Sequence, residues 1–172
     1  MGDEPLATLL ERLHELFLER GVTVATAESC TGGLVAKLLT DRSGSSAFFR
    51  GGVVAYSNAV KTGLLDVPAD QIEAHGAVSA QVARAMAVGV RSRMSADLAV
   101  AVTGVSGPTG GGAAKPLGLT YVAAADAAGV DVRRFMFAGD RAANRESAAR
   151  AALELLAERL LDRSGDRSDQ AG

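Results

Sequence analysis

Residues 23–33, "TVATAESCTGG", pass from an apolar run through a polar turn to two glycines. The run beginning at Val22 is short and rich in β-branched residues, which predicts a strand. A helix is expected to follow at about residues 31–39. A strand that leads directly into a helix is the unit of an α/β fold. The polar residues at the predicted strand end are Glu28, Ser29, Cys30 and Thr31.

The rest of the chain continues this alternation of helical and strand patterns. Helices are predicted at residues 6–17, 60–65, 68–75, 79–90 and 140–161, and strands at 51–57, 97–104, 119–126 and 130–139. The last two strands are joined by a short turn at 127–129, which makes them an antiparallel hairpin. The predicted class is therefore α/β with a mixed sheet, and polar segments that follow strands are the first places to look for a site.

Composition limits the kind of protein. The 172 residues are 48% hydrophobic and carry a net charge of −2, which fits one domain at residues 1–162 and gives no electrostatic footprint for nucleic acid. A single cysteine fits a cytoplasmic location. The amphipathic N-terminal segment predicts neither a signal peptide nor a membrane anchor. The polar end, 163–172, is predicted to be a disordered tail.

Ser29 has two interpretations. It caps the following helix through its hydroxyl, or it is a nucleophile beside unpaired N–H groups at the helix start. Position alone favours the cap, although Thr31 offers an alternative cap that would free Ser29. Gly32 and Gly33 allow a ligand to approach the backbone closely.

A serine nucleophile needs a base. The two histidines are His14, predicted on the surface of the first helix, and His75, predicted at the end of a short helix. Neither supports a Ser-His-Asp triad. Lys61 is the other candidate, with Tyr56 to relay a proton or orient it, because burial lowers a lysine pKa. The alternative is a half-buried tyrosine and a solvated lysine, with Asn58 in a turn.

Two later segments have anion-binding character. The loop "TGVSGPTGGGAAKPLG" follows a buried strand, and its glycine N–H groups favour an anion nest, although a flexible surface loop has the same composition. Arg141 and Arg145 share one face at the start of the last helix, where Asp140 is a candidate cap. Cationic side chains are disfavoured at that end, which indicates an anionic partner. The loop contributes Thr103, Gly104, Ser106, Gly107 and Lys115.

Cys30 is either a nucleophile or, since no histidine adjoins it, a small buried filler. The sequence has no Cys/His cluster typical of zinc and no acidic cluster typical of another divalent ion. No metal or cofactor is therefore predicted.

Five stretches together resemble the CinA C-terminal domain family. They are "AESCTGG", "GGVVAYSN" with Lys61, "HGAVS", "TGVSGPTGGGAAKPLG" and "GDRAANR". The resemblance implies a three-layer α/β/α sandwich with a mixed, mostly parallel sheet. It also implies a bacterial nicotinamide-nucleotide amidohydrolase, which converts nicotinamide mononucleotide to nicotinate mononucleotide and ammonia. A homodimer is expected on the same ground.

The resemblance also implies roles for residues. Ser29 is the nucleophile, with Tyr56 and Lys61 as its partners, and the glycine-rich loop and the two arginines bind the nucleotide. The full predicted binding set is Glu28, Cys30, Thr31, Gly32, Gly33, Asn58, Thr103, Gly104, Ser106, Gly107, Lys115, Arg141 and Arg145.

The chain departs from the family pattern at Ala113, Ala114 and Leu119, where polar residues are usual, and at Ser106, where alanine is common. The first three leave two alternatives open. One is a nucleotide-binding module without turnover, and the other is a serine amidase for a different amide.

Overall fold

The computed structural model describes residues 4–162. The helices are α1 (Leu6–Arg20), α2 (Leu34–Thr40), α3 (Asn58–Leu65), α4 (Ala69–His75), α5 (Ala80–Arg93) and α6 (Arg141–Asp162). The strands are β1 (Val24–Glu28), β2 (Phe49–Val54), β3 (Leu98–Gly104), β4 (Leu119–Ala125) and β5 (Val130–Met136), and a 3₁₀ turn at Ser45–Ala47 precedes β2. The tail predicted at 163–172 lies outside the described residues.

The five strands form one sheet in the order β2-β1-β3-β4-β5. β1 is parallel to β2 and β3, whereas β4 is antiparallel to β3 and β5. Four strands therefore point the same way and β4 opposes them, which confirms the mixed sheet and the hairpin. Two of the four pairings are antiparallel. The carboxyl ends of β1, β2 and β3 meet at one edge, so the segments after Glu28, Val54 and Gly104 are brought together.

Helices cover both faces of the sheet, which makes the α/β/α sandwich. Leu9, Leu13 and Phe17 of α1 join α2 and α6 in one core with Val100 of β3. Successive strand residues face opposite sides. Ala99 therefore belongs to the second core, against α5. The apolar face of α1 is thus packed within its own chain.

The sequence located α5 and its core face correctly. The buried residues are Val82, Ala83, Met86, Ala87 and Val90, and the Ser79 hydroxyl accepts a hydrogen bond from the Val82 N–H at 3.3 Å. In α6, Asp140 accepts from the Ala143 N–H at 2.9 Å and is the predicted cap. Several boundaries differ from expectation, among them the ends of β2 at Val54 and of β5 at Met136, which were expected at 57 and 139. β2 begins at Phe49, two residues before the expected 51, and α2 begins at Leu34, because Gly32 and Gly33 adopt positive φ angles of 63° and 97°.

Gly89 determines how closely α5 approaches α3. A Cβ at this position would lie 1.9 Å from the Leu65 carbonyl oxygen, a backbone atom that cannot move aside cheaply. We expect Gly89→Ala to destabilise the protein by about 3 kcal/mol through overpacking. Gly63→Ala is the matched control, since no atom lies within 4 Å of its Cβ, and helix propensity predicts a gain of about 0.5–1 kcal/mol. Urea unfolding of both variants measures the difference, and equal stabilities would contradict the packing argument.

Candidate active site

The Ser29 hydroxyl and the Lys61 amine meet at the carboxyl ends of β1 and β2. Ser29 follows β1 directly, and Lys61 lies on the first turn of α3. The Lys61 Nζ lies 3.2 Å from Ser29 Oγ and donates to the Ala55 carbonyl oxygen at 2.7 Å. Lys61 is only 1% exposed, whereas Ser29 is half-buried. The lysine is therefore fixed at hydrogen-bonding distance from a hydroxyl that remains accessible.

Burial lowers the pKa of Lys61 from its ordinary value of 10.5, and it outweighs the opposing effect of Cys30. Among residues 4–162 no carboxylate forms an ion pair with Lys61. A buried ammonium without a counter-charge is destabilised relative to the neutral amine. The neutral amine has a free lone pair, so Lys61 is suited to take a proton from Ser29.

Glu28, which had no assigned role beyond the predicted binding set, caps α2 from the end of β1. Its carboxylate accepts hydrogen bonds from the N–H groups of Gly33 at 2.9 Å, Val35 at 3.0 Å and Ala36 at 2.8 Å. The expectation that Thr31 caps this helix is wrong. Its hydroxyl is buried without a partner among the described residues. Ser29 is likewise not a cap, because Glu28 already serves the first turn.

The N–H groups of the turn after Ser29 are not equivalent. The Gly32 N–H donates to the Ser29 carbonyl at 3.1 Å, and the Gly33 N–H donates to Glu28. The N–H groups of Cys30 and Thr31 donate to no other residue within the described part of the chain. Of the N–H groups at the helix start that the sequence predicted beside Ser29, those of Cys30 and Thr31 are therefore the available donors, and those of the two glycines are not.

Cys30 is the buried filler that the sequence allowed. It is 7% exposed, and burial raises the pKa of its thiol, although the Ser106 hydroxyl beside it acts in the opposite direction. A thiol with a raised pKa is a poor nucleophile at neutral pH. Position 104 has no room for a side chain, because a Cβ there would lie 2.6 Å from Thr120 Oγ1 and 3.1 Å from Cys30 Sγ.

Tyr56 does not orient Lys61 through its side chain. The ring is 60% exposed, and its hydroxyl accepts a hydrogen bond from Arg141 Nη2 at 3.1 Å. Only the Tyr56 backbone carbonyl approaches Lys61 Nζ, at 3.5 Å. The predicted proton relay through the phenol is therefore corrected to a backbone contact, and the hydroxyl belongs with Arg141.

Arg141 contacts the glycine-rich loop, and Arg145 contacts the turn after β1. Arg141 Nη1 donates to the Gly107 carbonyl at 2.6 Å, and Arg145 Nη2 donates to the Thr31 carbonyl at 2.8 Å. Sequence reasoning missed Asn144, which is 3% exposed and lies between the two arginines. Its amide donates to the Ser106 carbonyl at 3.1 Å and accepts from the Gly139 N–H at 2.9 Å. The sequence did not indicate that Asn144 joins α6 to the glycine-rich loop, because a polar residue inside a predicted helix is ordinarily expected to face solvent.

A cavity of about 520 Å³ lies between the glycine-rich loop and the start of α6. Its walls include Ser106, Gly107, Leu117, Gly139 and Arg141. This volume is in the range of small-molecule sites. A larger cavity of about 640 Å³ lies between α3, α4, α5 and β5. Neither cavity is lined by the Ser29 turn. We assign the candidate site to the smaller cavity, because the Ser106 hydroxyl in its wall lies beside Cys30 and the Arg141 guanidinium in its wall is cationic.

Two predicted ligand-binding residues have structural contacts instead. Thr103 is buried and donates to the Ala77 carbonyl at 2.8 Å. Lys115 Nζ donates to the carbonyls of His75 at 3.0 Å and Val78 at 2.6 Å. Their prediction as anion ligands is corrected, since these side chains join the glycine-rich loop to the segment between α4 and α5.

The remaining predicted residues are peripheral. Asn58 is the first residue of α3, not a turn residue, and it is exposed. His14 is half-buried, with its ring edge-on to Phe48 at 5.3 Å, near the amino end of β2, whereas Ser29 follows the carboxyl end of β1. His75 is exposed at the end of α4, where its carbonyl accepts from Lys115. Ser29 therefore has Lys61 as its basic neighbour.

Comparison with known proteins identifies this arrangement. The sequence matches the CinA C-terminal domain over residues 6–160. The chain belongs to the CinA C-terminal domain family. A CinA-like protein of Geobacter sulfurreducens is 52% identical over 160 residues, and one of Geotalea uraniireducens is 50% identical over 155. These alignments cover 93% and 90% of the chain but 38% and 37% of the relatives. The CinA domain here thus spans less than two fifths of these longer proteins.

Solved CinA structures share the fold. A CinA superfamily protein from Klebsiella pneumoniae 700603 superimposes with a TM-score of 0.88 at 33% identity, covering 92% of this chain and 99% of the other. A competence/damage inducible protein from Agrobacterium tumefaciens gives 0.86 at 41% identity, covering 91% and 97%. The mixed α/β architecture is therefore that of the CinA superfamily.

Residues 4–162 show neither a metal cluster nor a membrane span. They contain no group of three or more His, Cys, Asp and Glu side chains placed to hold a metal ion. Within the same residues, every helix is too short or too polar to cross a membrane.

Proposed function

We propose that this CinA domain is an amidohydrolase that converts nicotinamide mononucleotide to nicotinate mononucleotide and ammonia. The observation that carries the proposal is the contact of 3.2 Å between Ser29 Oγ and Lys61 Nζ, with the lysine buried and its pKa lowered. Membership of the CinA family is compatible with this reaction, whereas the names of the relatives specify no chemistry.

The first half-reaction is acylation of the serine. Neutral Lys61 takes the Ser29 hydroxyl proton, and the Ser29 oxygen attacks the carboxamide carbon. The N–H groups of Cys30 and Thr31 stabilise the negative oxygen that forms. The C–N bond then breaks, and Lys61 returns its proton to the departing nitrogen, which leaves as ammonia.

Hydrolysis of the ester completes the cycle. Water attacks the acyl carbon while Lys61 takes one of its protons, and the C–O bond to Ser29 breaks. The proton returns to Ser29, and nicotinate mononucleotide leaves. One buried amine thus serves as base and acid in both halves.

We expect the phosphate of the nucleotide to bind at the end of the cavity where Arg141 lies. Arg141 adjoins Gly107 and Tyr56 at the cavity wall, beside the Asp140 carboxylate that caps α6. A cytoplasmic location and a homodimer stay predictions.

Arg141→Met is expected to raise KM for nicotinamide mononucleotide by about 10- to 100-fold, since a charged hydrogen bond contributes about 1.5–3 kcal/mol. kcat should change by less than about threefold, because Arg141 does not contact Ser29 or Lys61. Initial rates of ammonia release measure both constants, and nicotinamide riboside, which lacks the phosphate, is the matched substrate. An equal rise in KM for the riboside would show that Arg141 does not read the phosphate.

The deciding experiment is ammonia release from nicotinamide mononucleotide, nicotinamide and a panel of unrelated amides. Preference for the nucleotide supports the proposal. Activity on other amides alone would favour the different-amide alternative, which Ala113 and Ala114 motivate by their exposed position in the loop. Leu119 does not add to that case, because it is buried within β4. Tight nucleotide binding without ammonia would indicate a binding module.

A further inference from the structure

Glu28 is a buried carboxylate that the proposed reaction does not use directly. It is 1% exposed, and its carboxylate accepts hydrogen bonds from backbone N–H groups of the turn and of the first residues of α2. In the described residues it forms no ion pair with Lys61 or Arg145. A buried charge held in this way is stabilised by its hydrogen bonds, and it restrains the backbone that donates them.

The position of Glu28 determines which donors stay available near Ser29. Its carboxylate takes the N–H groups of Gly33, Val35 and Ala36, and the Gly32 N–H donates back to Ser29. The carboxylate also offsets the positive end of the α2 dipole. Stabilisation of a negative oxygen beside Ser29 therefore depends on the two remaining N–H groups, those of Cys30 and Thr31, rather than on the helix dipole.

A second restraint acts on the other side of the same turn. Arg145 Nη2 donates to the Thr31 carbonyl at 2.8 Å, and the Arg145 guanidinium lies against Gly32. Glu28 thus fixes the end of the turn that leads into α2, and Arg145 fixes its middle. The peptide plane joining Thr31 to Gly32 is held between the two.

We infer that Glu28 is a positioning residue for acyl transfer at Ser29. It holds residues 29–33 in the conformation that leaves the Cys30 and Thr31 N–H groups free to receive the oxyanion. The inference rests on the proposed function for its chemistry, but the geometry concerns any electrophile that reacts with Ser29.

Glu28→Gln tests this role with little change in volume. A glutamine amide has one oxygen and an NH₂ group, so it cannot accept three N–H bonds in the present arrangement. Loss of one oxyanion donor lowers rates by about 10²–10³-fold. We expect kcat for ammonia release to fall about 100-fold, with KM within threefold and with the Lys61-dependent limb of the pH profile unmoved.

A second readout does not depend on the natural substrate. An aryl fluorophosphonate forms a Ser29 Oγ–P bond with loss of fluoride while Lys61 takes the hydroxyl proton, and the phosphoryl oxygen uses the same donors. Mass spectrometry gives the modification rate per folded molecule. We expect that rate to fall at least tenfold in Glu28→Gln. Ser79→Ala is the matched control, because it removes a helix cap at α5 and should lower the unfolding temperature without changing either rate.

The outcomes separate the two proposals. Wild-type rates in a folded Glu28→Gln protein would overturn the positioning role. Rapid, Glu28-dependent phosphonylation without ammonia release in the wild type would overturn the proposed function and leave the positioning role standing. Should Glu28→Gln fail to fold, Glu28→Asp, which keeps the charge but shortens its reach, is measured in the same way. Unchanged phosphonylation in that variant would also overturn the inference.

Discussion

Lys61→Met is expected to lower kcat about 10²–10⁴-fold, the range that general acid–base catalysis supplies. Methionine fills a similar volume but cannot take the Ser29 proton or return it to the leaving nitrogen. Lys61→Arg should be equally inactive at every accessible pH, because guanidinium does not lose its proton. Lys37→Met is the control, since Lys37 is exposed and pairs with Asp41. Substantial activity in Lys61→Arg would contradict the assignment of the base.

The lowered pKa of Lys61 predicts that both activity and stability depend on pH. Its pKa is lowered by burial, so activity should rise with pH through a midpoint below 10.5, as the neutral amine forms. The folded state also binds fewer protons than the unfolded state between that midpoint and 10.5, so Lys61 makes stability increase with pH there. Lys61→Met should therefore unfold at a higher temperature than wild type at neutral pH, and the gap should narrow toward pH 10.5. Thermal unfolding across this range measures the gap.

Ser29→Ala is the second large effect. Removing the nucleophile should lower kcat by roughly 10³–10⁶-fold, as in enzymes whose nucleophile and base act as one unit. Stability should change by less than about 1 kcal/mol, because the helix cap belongs to Glu28 and Ser29 Oγ contacts only Lys61 among the described side chains. Ammonia release over hours and thermal unfolding are the measurements. The double variant with Lys61→Met should lose no more activity than Ser29→Ala alone.

The sequence was sufficient to predict the architecture and to bring Ser29 and Lys61 into one site. Hydrophobic periodicity located α5 and its buried face, and the hairpin after β4 predicted the mixed sheet. The rule that sites lie at the carboxyl ends of strands placed Ser29 beside Lys61 although 31 residues separate them along the chain. These features depend on hydrophobic periodicity and on the positions of turns, both of which can be read from a single sequence.

Side-chain direction was not predictable in the same way. Lys115 and Thr103 reach the carbonyls of the segment before α5, and the Tyr56 hydroxyl reaches Arg141. Each contact joins segments far apart in sequence, so neither propensity nor spacing contains it. Glu28 gave no signal as a cap, because caps are expected at the helix start and this one projects from the preceding strand.

Acyl transfer through Ser29 is tested most directly by trapping the intermediate. The protein is mixed with nicotinamide mononucleotide, quenched in acid within the first turnover, digested and examined by mass spectrometry. We predict an ester of nicotinate mononucleotide on the peptide containing Ser29, formed together with a burst of ammonia and absent from Ser29→Ala. Ammonia release at an undiminished rate by Ser29→Ala, with no acylated peptide in the wild type, would contradict the account.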